Sequence, residues 1–178
     1  MKNKLMFSLL FSYLVFSSPS AFPKSSGENN DKVCKLSDSY GYLYNGTSFS
    51  SIPVPLTETG SFTVDKNGIF RGEGTLAFYY SNFHNTGIPL WLLMHEVQSN
   101  ATVTYDANNP CSGAIDYETT VTVTQSSNTS IVPVGTVLIS NAPRSIAFTI
   151  SGQNKNVVDL ISTSPGTIAS GTAHKQDN

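Results

Sequence analysis

Charge is scarce in this chain of 178 residues: Asp, Glu, Lys and Arg make up 12% of it, with a net charge of −2. The basic residues are scattered, which excludes the patch that a nucleic-acid or membrane-surface partner requires. Histidine is equally thin. His84, His95 and His174 have no metal-ligand spacing, and His95-Glu96 lacks the second histidine of H-E-x-x-H. Neither a metal nor a cofactor is expected. No G-x-S-x-G elbow marks a serine nucleophile, and no apolar run reaches the roughly 20 residues of a membrane-crossing helix.

The longest apolar run, Leu5 to Phe16, follows Lys2 and Lys4 and leads into Ser17-Ser18-Pro19-Ser20-Ala21. That is the pattern of a secretory signal peptide, assigned to residues 1–21. Cleavage would leave a soluble, exported chain, secreted or periplasmic, with no integral membrane segment. Residues 22–32 are small, polar and charged, a flexible leader with nothing to bury. The domain is expected over 33–173 and a tail over 174–178.

Cysteine occurs twice, at Cys34 and Cys111. In an exported chain the two are expected to pair, and their spacing excludes a CxxC redox motif. The bond would tie the chain just ahead of the first strand to the start of the longest alternating one.

What is abundant is period-two alternation. Ile115, Tyr117, Thr119, Val121 and Val123 share one face against Asp116, Glu118, Thr120 and Thr122. Shorter examples are Phe62 with Val64, Ala101 with Val103 and Tyr105, and Ile146 with Phe148 and Ile150. Asp65-Lys66-Asn67-Gly68 and Ser151-Gly152-Gln153-Asn154 are hairpin signals. Neither the first of these nor Asp106-Ala107-Asn108-Asn109 continues to the glutamate of a calcium loop. No helical stripe is present. The expectation is an all-β fold of about eight strands, a single antiparallel up-and-down β-barrel with one disulfide, the alternative being a β-sandwich.

Four ordered motifs carry a resemblance. Ser39-Tyr40-Gly41-Tyr42 follows a cysteine; Gly60-Ser61-Phe62-Thr63-Val64-Asp65-Lys66-Asn67-Gly68 forms a hairpin; Ala101 to Tyr105 leads to Cys111-Ser112-Gly113; and Pro165-Gly166-Thr167-Ile168-Ala169-Ser170-Gly171-Thr172-Ala173 closes the chain. Together they resemble a group of uncharacterised secreted bacterial small β-barrel proteins. The resemblance implies a calycin-like fold, of the lipocalin or allene-oxide-cyclase kind, and no established activity. Two segments depart from it, one between Tyr79 and His95 and one between Gln125 and Pro133. As loops, these are where specialisation is expected.

Leu90 to Val97 is apolar on both alternating faces. A regular strand there puts Trp91, Leu93, His95 and Val97 toward the lumen and leaves Leu90, Leu92 and Met94 as a homodimer surface; a bulge or a loop over the barrel mouth is the bland alternative. On the preceding strand, Ile69 to Tyr80, Phe70, Leu76, Phe78 and Tyr80 share their face with Gly72 and Gly74, which leave room for either a bend or a ligand. The carboxylates Glu58, Glu73, Asp116 and Glu118 mostly fall opposite apolar faces, where solvent is the default.

Three functions stay open. The first is a non-enzymatic barrel binding a small apolar ligand or surface partner at a mouth lined by Phe78, Tyr80, Trp91 and His95. The second is a cyclase or isomerase using the lumen, with His95 or Glu73 as the catalytic group. The third is a structural or host-facing interaction protein acting through Leu90, Leu92 and Met94.

Overall fold

The computed structural model describes residues 34–49, 53–83, 87–152 and 156–176. The expected signal peptide and leader, and His84, lie outside the described residues.

The alternating sequence becomes eight antiparallel strands: β1 (Asp38–Phe49), β2 (Pro53–Val64), β3 (Phe70–Tyr80), β4 (Leu90–Tyr105), β5 (Ser112–Ser126), β6 (Val137–Ser151), β7 (Val157–Ser162) and β8 (Thr167–Lys175). Each pairs with its sequence neighbour, and β8 returns to β1, closing an up-and-down barrel. Closure removes the free edges that an eight-stranded sheet would otherwise expose. Turn chemistry acts where expected: Asp65 Oδ1 accepts from the amides of Asn67 and Ile69, and Gly68 takes a φ of 79°.

Two boundaries differ from expectation. Ala101–Tyr105 is no separate strand but the far half of β4, which shifts register between Ser99 and Thr102, where Asn100 adopts a φ of 50°. The shift changes which parity faces inward, from Gln98 to Ala101 and Val103. His174 and Lys175, expected in the tail, complete β8 because their backbones pair with Gly41 and Tyr40 of β1.

The barrel interior has two unlike ends. At one end aromatic rings fill the lumen, with Tyr40 stacked on Phe62 at 5.0 Å, Phe62 on Phe70 at 5.1 Å and Phe70 on Tyr117 at 6.4 Å. Cys34 and Leu36, both 3% exposed, cover this end ahead of β1. The Cys34–Cys111 disulfide holds them there, Cα to Cα 4.8 Å, and the Leu36 amide donates to the Tyr105 hydroxyl at 2.8 Å. The expected bridge is therefore present, tying the segment before β1 to the start of β5. The other end is open, and Phe83 after β3, Val132 of the β5–β6 loop and Ser164 of the β7–β8 loop stand at it.

Candidate functional site

The open end holds a cavity of about 420 Å³, within the size range of small-molecule sites. Its walls come from inward positions of successive strands: Leu56 on β2, Leu76, Phe78 and Tyr80 on β3, Leu92 and Met94 on β4, and Val121 on β5. Phe83 and Val132 come from the two loops that depart from the resemblance. In the second loop the Asn128 carbonyl accepts from the amides of Ile131 and Val132, a tight turn that turns Val132 inward, where it is buried.

The floor is polar. Glu58 of β2 has the same parity as Leu56 and Phe62, and Glu96 of β4 the same parity as Leu92 and Met94, so both carboxyls enter the lumen at mid-height. They are 7% and 4% exposed. The Tyr42 hydroxyl donates to Glu58 Oε1, the Thr119 hydroxyl donates to Glu96 Oε1, and Gln98 Nε2 donates to the Tyr42 oxygen at 3.4 Å. Burial, then the Glu96 charge and the hydrogen bond with it, push the Glu58 carboxyl up to about 9 against the lowering effects of Tyr42 and Arg144. At neutral pH Glu58 keeps its proton.

Glycine makes the room for this layer. A Cβ on Gly74 would stand 2.5 Å from the Tyr42 oxygen and 3.0 Å from Glu58 Oε1; one on Gly60 would stand 2.7 Å from the same tyrosine oxygen and press on the Glu73 carbonyl. Gly72 opens the place taken by the Gln98 amide. Of the two uses expected for Gly72 and Gly74, a register shift between Phe70 and Gly72 marks the bend, and the space beside both glycines is taken by the protein's own polar cluster and not left for a ligand. Below this layer lies a void of about 20 Å³.

Three further donors border the cavity. Arg144 of β6 faces Tyr117 of β5 in register and lines the lumen, with no ion pair among the described residues. The Tyr44 hydroxyl is buried without a hydrogen-bond partner among the described residues, and desolvation pushes it up to about 12 against a lowering effect of Ser162. Tyr117 is pushed well above its ordinary value by burial and then by the charges of Glu96 and Glu58.

The expected site residues divide. Phe78 and Tyr80 line the cavity. Trp91 and His95 do not: β4 places Leu90, Leu92, Met94 and Glu96 inward, so Trp91 is 44% exposed and the His95 side chain 44% exposed on the outer surface. A one-residue error of parity exchanges every side chain of a strand between faces. Leu90, Leu92 and Met94, expected as a dimer surface, are 0%, 2% and 0% exposed inside the barrel and present nothing to a partner. Glu73 pairs with His95 at 3.9 Å on that outer face, away from the lumen. Glu58, expected in solvent, is the reverse correction. Glu96, Tyr44, Tyr117, Thr119 and Arg144 had not been singled out as site residues, although the parity of Glu58 and Glu96 with apolar neighbours was the available signal.

No protein-family model matches this chain, nor does any curated protein or solved structure. The site must be read from its own geometry. No group of His, Cys, Asp and Glu able to hold a metal ion occurs among the described residues.

Proposed function

We propose that the barrel binds one small molecule in its lumen, apolar along most of its length and polar at the end that reaches the floor. The cavity of about 420 Å³, with apolar walls over a hydrogen-bonding floor, carries this reading. An empty lumen is not needed for stability, because the opposite end already packs an aromatic core. The disulfide fits an oxidising compartment, and with the signal-peptide pattern it supports action outside the cytoplasm. The reading does not depend on the resemblance to secreted bacterial barrels.

The neutral fluorophore N-phenyl-1-naphthylamine tests it. The protein is expected to bind the dye with a blue-shifted, brighter emission, and Leu76→Trp, which fills the cavity, to abolish binding while the circular dichroism spectrum is kept. Equal binding by the folded variant would remove the lumen as the site.

Catalysis of proton transfer on a bound ligand is the second reading, favoured by one observation, the buried Glu58 carboxyl lining the cavity floor, which burial shifts upward. Binding is preferred because both carboxyls are already held by Tyr42 and Thr119.

A further inference from the structure

We infer that the ligand is an organic acid, its carboxylate held by Arg144 and Tyr44 and its apolar chain running toward the mouth. This rests on the lumen-binding reading and names the chemistry of its polar end.

The inference comes from asking which polar groups at the floor are still free. The carboxyls of Glu58 and Glu96 are engaged by Tyr42, by Thr119 and by each other. What remains is a set of donors. Arg144 offers guanidinium N–H groups with no ion pair among the described residues. The Tyr44 hydroxyl is 94% buried by residue, since Tyr44 is 6% exposed, and has no hydrogen-bond partner. Tyr117, across from Arg144 in register, brings a third hydroxyl to the same wall.

A buried donor without an acceptor costs roughly 1–3 kcal/mol, and Arg144 borders the lumen with no ion pair among the described residues. Both are relieved by one ligand group that accepts and carries negative charge. A planar carboxylate matches the guanidinium fork with two parallel hydrogen bonds and leaves a lone pair for the Tyr44 hydroxyl. An ammonium head fits badly, because Arg144 repels it and the carboxyls that might attract it are occupied. An alcohol could use Tyr44 but would leave the guanidinium charge unanswered. The Glu58 and Glu96 carboxyls at the floor oppose an acid, and Arg144 on the same lumen wall limits that opposition.

Displacement of N-phenyl-1-naphthylamine by decanoic acid, 1-decanol and decylamine distinguishes the heads at constant chain length. The acid is expected to bind at least tenfold more tightly than the alcohol, with the amine weakest. Arg144→Gln should bring the acid down to the affinity of the alcohol without changing the alcohol. Tyr44→Phe should weaken the acid about threefold while leaving the melting temperature equal or higher, since it removes an unpartnered buried hydroxyl. That combination is not what a merely structural role gives. Acid and alcohol binding alike in the native protein, or a preference for acid that survives both Arg144→Gln and Tyr44→Phe, would overturn the carboxylate while dye binding upholds the lumen. Failure of dye and acid alike would overturn both readings.

Discussion

The Tyr42 hydroxyl donates to the Glu58 carboxyl across the middle of the barrel, through space that exists because residues 60 and 74 are glycine. This contact divides the lumen. Below it aromatic rings and a disulfide supply stability; above it the cavity is free to take a ligand. A polar layer at that level is costly unless each member is satisfied, and Thr119 and Gln98 complete it.

The proton on Glu58 gives stability a pH dependence with a definite sign. Burial and the neighbouring Glu96 push its carboxyl up from the ordinary 4.5 to about 9 in the folded barrel. The folded state therefore binds more protons between those values, and stability, full below about 4.5, falls as pH rises toward 9. The slope is at most about 1.4 kcal/mol per pH unit. Glu58→Gln keeps an acceptor for Tyr42 and should flatten the slope, making the variant more stable than the native protein at pH 8 but not at pH 5. Asp38 and Asp65, held below their ordinary 3.8 by Lys175 and by the Ile69 amide respectively, act in the opposite sense and only at lower pH. Urea melts at pH 5, 6.5 and 8 decide the matter, and parallel curves for the two proteins would remove the buried proton.

The glycines should differ in their tolerance. At Gly60 an added methyl group meets the backbone carbonyl of Glu73 and the Gly74 Cα, which the β2–β3 ladder fixes. At Gly72 it meets the end of the Gln98 side chain, which can move. Gly60→Ala is expected to cost about 3 kcal/mol and Gly72→Ala under about 1 kcal/mol. Equal losses in chemical denaturation would show that room for the polar layer is not what these glycines supply.

The closure of this barrel was legible in the sequence because its alternation is clean: Ile115 to Val123 lie inward as that face predicted, and the Asp65–Gly68 turn set the β2–β3 register. The site was not. On β4 both faces are apolar from Leu90 to Leu93, so hydrophobicity does not say which face is inside. The polarity of Glu58 then counts against burial, although it, like Glu96, shares parity with apolar neighbours. What buries them is pairing across the lumen between β2 and β4, which are not adjacent in the sheet, and no local pattern reports such a meeting.

Reducing Cys34–Cys111 should loosen one end of the barrel and spare the other. The bridge spans 77 residues, worth roughly 4 kcal/mol by chain entropy, or a fall in melting temperature of roughly 10 °C. Leu36 and the Leu36–Tyr105 hydrogen bond depend on it directly, whereas the cavity lies at the far end. Cys34→Ser/Cys111→Ser is therefore expected to melt earlier, to exchange the Leu36 amide faster and to keep its affinity for the dye. An unchanged melting curve would falsify the staple.

Trp91 offers the most direct check on strand parity, because it is the protein's single tryptophan. On the outer face, paired with Tyr79 across β3 and β4 and 44% exposed, its indole should emit as a partly hydrated ring and be quenched by acrylamide. Ligand in the lumen should change neither property much, since the β4 backbone separates the ring from the cavity. Trp91→Ala and His95→Ala should likewise leave dye affinity within about twofold, their side chains touching no part of the cavity. Leu92→Ala, one position on from Trp91 and inward, should instead destabilise the barrel by about 3 kcal/mol and alter dye binding. Emission that shifts to the blue and resists quenching when the dye enters would reverse the assignment, turning Trp91 and His95 inward and Glu96 out, and would dissolve the carboxyl pair on which the floor of the site is built.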